Sequence, residues 1–346
     1  MIKAVVLLRL LIACLFGLFG LLSAASHADW PGPRDGPAVT PGKRIVFLAA
    51  DFRNGGVVGV YRSVERAAKL VSWQVHALDG RGDAAQWRRI AEQALAMEPD
   101  GVVLGGFGVG ALGEDLPALF QQRNIPLVGW HAGDKPGPDE WLFSNVTSDP
   151  LVVADLAAEL VIAEGAIGVV IFTDNQFAIA RAKTERMAKR IRECPNCRLL
   201  SIEDLPISGA SAQIPERVKQ LQQRFGSAWT HSLAINDVYF DHIHVPLARV
   251  GRKDIRHVAA GDGSAKALGR INSGLSQQIA SIAEPLGVQG WQVLDELNRA
   301  FSGQPHSGYV ARPLVVTFEV LREAKDLNVG LDTSHEAGYL LLWQPH

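Results

Sequence analysis

Short apolar runs alternate along this chain with longer segments whose apolar residues recur every three to four positions, and this alternation constrains the fold more than any other feature. Residues 44–50 read as a buried strand, after which Val60, Val64, Ala67, Ala68 and Val71 fall on one helix face. Residues 72–78 alternate as a strand, and Trp87, Ile90, Ala91, Ala94 and Leu95 form the next helical stripe. Segments 101–104, 116–120 and 126–130 continue as strand, helix, strand. Buried runs separated by helices imply parallel pairing through crossover connections.

A second series starts near Ser148, where Asp149-Pro150 reads as a helix cap followed by a first-turn proline. Strands are expected at 167–172, 199–202, 233–235 and 257–260, with helices at 178–192, 215–225 and 238–250 between them. So many crossovers exceed one compact sheet. Two doubly wound, Rossmann-like α/β lobes are therefore expected, ahead of a (β/α)8 barrel. No Gly/Ser-rich linker parts them, which implies several chain crossings at a hinge, with the strand and helix of 278–301 returning to the first lobe. The expected lobes are 43–146 plus 278–310 and 147–277 plus 311–346; the apolar Leu340, Leu341, Leu342 and Trp343 of the tail are expected to pack at the hinge.

The first 28 residues differ from the rest. Residues 10–22 are an unbroken apolar or small stretch, preceded by Lys3 and Arg9 and followed by the small residues Ser26 and Ala28. That stretch is too short to span a hydrocarbon layer of roughly 30 Å, and the pattern predicts a signal peptide cleaved after Ala28, hence a periplasmic protein. Leu11-Ile12-Ala13-Cys14 also resembles a lipobox, but cutting there would leave an apolar stub behind the lipidated cysteine. Export makes Cys194 and Cys197 a local disulfide rather than a redox pair, because they follow the basic end of a helix instead of opening one. The 346 residues carry a formal charge of −2, so no positive surplus exists to neutralise phosphates, and nucleic acid is not an expected partner.

In such sheets ligands gather beyond the carboxyl ends of the strands. Those positions are strongly polar here: Asp51, Phe52, Arg53 and Asn54; Gly106 and Phe107; Trp130 and His131; Asp174 and Asn175; Glu203 and Asp204; Asn236 and Asp237; Asp262; and Glu284. Any one of them could merely cap a helix or end a strand. Together they would line one cleft with donors, acceptors and aromatic faces, which suits a polyhydroxylated solute.

At Ala234-Ile235-Asn236-Asp237, Gly261-Asp262-Gly263-Ser264 and Ala283-Glu284-Pro285 the chain resembles the periplasmic solute-binding proteins of the ribose- and galactose-binding type, whose sensor domain is shared with Lac-repressor-like regulators. The resemblance spans about 43–325 and implies two lobes joined by a three-strand hinge, closing on one ligand that is handed to an ABC permease. It implies ligand contacts at Asn54, Lys183, Asn236, Asp262 and Glu284. Gly56 and Val57 stand where relatives carry stacking phenylalanines, so Phe52, Phe107 and Trp130 are the candidate aromatic platform, with Arg53 and His131 as further contacts. Lys183 replaces a common arginine and Glu284 a common glutamine, which argues against plain ribose.

Other readings are weaker. Residues 106–111 fit a dinucleotide pattern but follow the third strand rather than the first. His242 and His244 lie two apart in a helical segment and point away from each other, so no metal is expected. Neither a nucleophile elbow nor an H-E-x-x-H helix is present, so no enzyme and no cofactor are expected, with a secreted glycoside-active enzyme as a minor alternative. Sensing, through docking on a chemoreceptor or sensor kinase, is the alternative to transport. The protein is expected to be monomeric.

Overall fold

The computed structural model describes residues 30–324 and 334–345. The expected signal peptide, Cys14 included, and residues 332, 333 and 346 of the tail lie outside them. No helix among the described residues is long and apolar enough to cross a membrane.

The first sheet contains β1 (Arg44–Ala49), β2 (Gln74–Asp79), β3 (Gly101–Gly105), β4 (Leu127–Trp130) and β5 (Ser144–Val146), all parallel, in the order β2-β1-β3-β4-β5. Its strands are connected through α1 (Gly55–Leu70), α2 (Ala84–Ala96) and α3 (Asp115–Gln122). The second sheet contains β6 (Gly168–Thr173), β7 (Arg198–Asp204), β8 (His231–Ala234), β9 (Arg256–Ala259), β10 (Gln278–Ala283) and β11 (Leu314–Thr317), in the order β11-β10-β9-β8-β6-β7. Only the edge strand β11 is antiparallel. Helices α4 (Pro150–Ala163), α5 (Ala178–Glu193), α6 (Ala210–Phe225), α7 (Val238–Asp241), α8 (His244–Arg249) and α9 (Ala265–Asn272) serve this sheet. Two sheets rather than one closed barrel follow from this pairing.

Caps set the helix starts that matter for the cleft. Asn54 accepts from Gly56 N to open α1, Asp149 accepts from Leu151 N with Pro150 in the first turn of α4, and Ser264 accepts from Ala267 N to open α9. Two helices depart from the sequence reading. The helix expected at 215–225 starts at Ala210, with Pro215 inside it, and the helix expected at 238–250 is split at His242–Ile243. Pro246 has no N–H to bond back to His242, so a new first turn begins just before it.

The crossings also differ from expectation. β10 pairs in parallel with β9 and antiparallel with β11, so it belongs to the second sheet. Only α10 (Leu286–Phe301) returns to the first lobe, where Trp291, Val293, Leu294 and Leu297 pack with Val57, Val60 and Val64 of α1. Beyond β11 and α11 (Phe318–Ala324), the tail helix α12 (Ser334–Leu342) also packs on the first lobe. Trp343 stacks on Trp291 at 5.5 Å and donates to Asp295 Oδ1 at 2.8 Å, so the tail joins the first-lobe core rather than the hinge or the second lobe. The chain therefore crosses between lobes at 147–149, 284–285 and 302–313, and a fourth time between Ala324 and Ser334, one crossing more than expected.

Cys194 and Cys197 form a disulfide with Cα atoms 5.2 Å apart. So short a closed loop limits the entropic stabilisation to about 2 kcal/mol.

Candidate functional site

The strand ends of both sheets face each other across a cavity of about 60 Å3. The first lobe contributes Ala50, Asp51, Asn54, Gly82, Trp130 and His131; the second contributes Phe177, Lys183, Ile207, Ser208, Asn236 and Asp262. The lobes are closed on it. A methyl group at Gly56 would collide with the Asp262 carboxylate, which explains why no aromatic ring can stand there. Gly82, at φ +72°, abuts Ser208 in the same way on the opposite side.

Of the ten residues singled out from sequence, Asn54, Trp130, His131, Lys183, Asn236 and Asp262 line this cavity. The other four are placed elsewhere. Phe52 packs on Phe47 and Tyr61 at 6.4 and 5.2 Å within the first-lobe core. Phe107 is fully buried, stacked 5.0 Å from Trp87. Both rings follow strand ends, but β1 and β3 are buried on both faces, so an adjacent ring is drawn inward. Arg53 grips Asp51 through Nε and Nη2 at 2.9 and 2.7 Å and stands at the outer mouth of the cleft. Glu284 lies behind the cavity wall, its carboxylate already occupied.

That carboxylate is the knot of the hinge. Oε1 accepts from Lys183 Nζ at 3.4 Å, while Oε2 meets His131 Nε2 at 2.9 Å, Gln289 Nε2 at 2.9 Å and Ser148 N at 3.2 Å. Ser148 Oγ donates to Ala311 O at 2.8 Å, so side chains around Glu284 tie together the crossings at 147–149, 284–285 and 302–313. Trp130 Nε1 donates to Gln289 Oε1 at 2.8 Å, and its ring stacks on His131 at 4.1 Å. Burial alone would raise the Glu284 carboxyl, but the charges of His131 and Lys183, with hydrogen bonds from His131 and Gln289, reverse this and hold it well below the carboxylate range. His131 sits at φ +54°, a left-handed conformation that non-glycine residues seldom adopt and that surrounding contacts must hold.

Asn236 donates through Nδ2 to Asp262 Oδ2 and accepts from Val238 N, which orients the Asp262 carboxylate. Burial pushes Asp262 up, opposed by His131 and Lys183 and aided by the Glu284 charge. Behind it, Asp237 accepts from Gly263 N, Gln278 Nε2 and Ser281 Oγ at 2.8, 2.7 and 3.2 Å and so supports the loop that carries Asp262. Burial and the neighbouring Asp262 charge push Asp237 up to about 7. A carboxyl raised in the folded state from 3.8 binds a proton that the unfolded chain has released, so its contribution to stability is lost as pH rises through about 7. The stability of the native chain relative to Asp237→Asn is therefore expected to fall between pH 5 and pH 7.5 in urea denaturation; a pH-independent difference would remove Asp237 as a titrating group.

His131, Asp262 and Glu284 each present a ligand atom within 4.8 Å of the others, but Lys183 supplies the cation that balances them. The aromatic residue that sequence reasoning missed is Phe177. It precedes α5, lines the cavity, and lies 5.7 Å from Trp87 across the cleft. Phe177, Ala180 and Lys183 share one helical face at spacings of three, which was the available signal.

No protein-family model matches the chain, and no curated protein sequence matches it significantly. Solved structures do match. An ABC transporter solute-binding protein from Agrobacterium vitis with bound allitol is similar at 18% identity and TM-score 0.69, covering 83% of this chain and 99% of its own. A solute-binding protein from Mycobacterium smegmatis with bound glycerol matches at 15% identity and TM-score 0.71, covering 82% and 96%. A sugar ABC transporter protein from Yersinia enterocolitica matches at 14% identity and TM-score 0.74, covering 89% and 98%. The chain has the type I periplasmic binding-protein fold. In that fold the cavity described here occupies the cleft between the lobes.

Proposed function

We propose that this protein is an exported solute-binding protein that captures a sugar-like or polyol solute between its lobes and delivers it to an ABC permease in the inner membrane. One observation carries the reading: hydrogen-bonding side chains from two lobes, Asn54 and His131 from one and Lys183, Asn236 and Asp262 from the other, converge on one cavity between them. A solute there would bridge the lobes and favour closure by its differential contacts with the closed state. Neighbours of the same fold hold allitol and glycerol, which suits the mixture of donors and acceptors. The residues are used for holding rather than for chemistry: Glu284 is saturated by four partners and is not free to exchange a proton.

Closure is directly measurable, because Trp130 lines the cavity. Titrating the purified chain, lacking residues 1–28, with a panel of sugars and polyols should change tryptophan fluorescence and raise the melting temperature by mass action for the cognate solute. A folded protein that responds to no member of the panel would refute the reading. Cells deleted for the protein should lose high-affinity uptake of that solute; unchanged uptake would refute the transport role.

A further inference from the structure

Phe177 stands where a helix normally has a polar residue. It is the cap of α5, in extended conformation at φ −101° and ψ 128°, and its side chain makes no hydrogen bond to the first turn. Serine, threonine, aspartate or asparagine at that position would stabilise the helix start. The ring therefore breaks a local rule, and a contact elsewhere in the fold must offset the loss.

That contact lies across the cleft. Phe177 packs against the second-lobe core and also against the first-lobe cluster that holds Ala50, Trp87, Leu104 and Phe107; among the described residues no other side chain joins the apolar clusters of both lobes. Its ring centre is 5.7 Å from that of Trp87, with the planes tilted by 37°. Trp87 is a fixed partner, since it is buried, stacks on Phe107 at 5.0 Å and donates from Nε1 to Ala50 O at 3.0 Å. It does not itself line the cavity. The polar ties of His131 with Glu284 and of Ser148 with Ala311 sit at the hinge crossings, whereas Phe177 and Trp87 belong to the two faces of the cleft. A rotation that opens the lobes about those crossings parts the two rings and exposes their contact faces to water.

We propose that Phe177 is a closure latch: by packing on Trp87 it holds part of the population closed before a solute arrives, and it sets solute affinity through the closing equilibrium. This rests on the solute-binding reading above. Solute affinity includes the free energy of closing, so a contact made only in the closed form strengthens binding without touching the solute. An aromatic pair with its buried surface shifts such an equilibrium about tenfold.

The decisive measurement is made without solute. Spin labels on Gln93→Cys in α2 and Ala212→Cys in α6, both exposed positions, report the distance between the lobes by pulsed electron paramagnetic resonance in the chain lacking residues 1–28, where Cys194 and Cys197 are joined to each other. The parent should show a closed population. Phe177→Asn, which removes the ring and supplies the missing helix cap, should lower the closed-to-open ratio about tenfold, and Phe177→Tyr should retain it. Trp87→Leu should act comparably, and adding it to Phe177→Asn should lower the ratio no further, as a shared contact requires. A parent without a closed population, or an unchanged ratio in Phe177→Asn, would overturn the latch; a distance in the parent that still shortens with the sugar and polyol panel would leave the solute-binding reading standing. One fixed distance in every variant, with and without the panel, would overturn both.

Discussion

Glu284→Gln is expected to cost about 3–5 kcal/mol of stability, the range seen when one partner of a buried ion pair is removed. The side chains of Lys183 and Glu284 are 4% and 0% exposed, so water cannot take over the solvation of the ammonium once its counter-charge is gone. The amide oxygen can still accept, but the NH2 that replaces the other oxygen would turn its donors either toward Lys183 Nζ or toward His131, Ser148 N and Gln289, which donate to or meet the carboxylate now. Lys183→Met in the same chain should recover much of the loss, because the buried charge goes with it; a urea double-mutant cycle measures the coupling. The sign with pH is fixed by the lowered Glu284 carboxyl. Its stabilisation is present above its ordinary value of 4.5 and is lost as pH falls through a folded value well below that, so the variant should lose less than the parent on strong acidification. A fully stable Glu284→Gln protein would mean that Lys183 is not held as an ion at the hinge.

Asp262→Ala is expected to weaken solute binding by about ten- to a hundredfold, corresponding to the roughly 1.5–3 kcal/mol of a hydrogen bond to a charged group. Its carboxylate is oriented from its own lobe by Asn236 and lies against Gly56 of the opposite lobe. Truncation also frees Asn236 to turn, which loosens a second contact. Asp262→Asn, nearly the same shape, should lose affinity with less effect on folding and so separates contact from scaffold. Unchanged affinity in both folded variants would remove Asp262 from the site.

Much of this arrangement was legible along the chain. Strand ends bearing Asn54, Trp130, His131, Asn236 and Asp262 could be located because apolar runs end abruptly at polar residues, and a doubly wound sheet sends all such ends to one edge. Lys183 is a different case. It lies within a basic helix and is distinguished only by sharing a face with Phe177 and Ala180. The strands β5 and β11 were not picked out: the three residues Ser-Asn-Val of β5 carry no period, and the apolar Leu-Val-Val of β11 has its partner, β10, in an antiparallel edge pairing that the parallel crossover pattern does not suggest. The parting of β10 from α10 was equally hidden: both are apolar, and their different partners, β9 and α1, lie far away in sequence.

The amino-acid order by itself determined two layered α/β lobes and the polar strand ends, because each depends on local periodicity or composition. Only the tertiary structure decided which of those polar groups meet solvent space and which are spent on one another. Glu284 and Arg53 look like Asp262 and Asn54 in sequence, yet the hinge crossings wrap one in four partners and Asp51 holds the other at the rim. The set of residues that share the cavity is likewise fixed by how closely Gly56 and Gly82 let the two lobes approach, a distance between segments that no local pattern encodes.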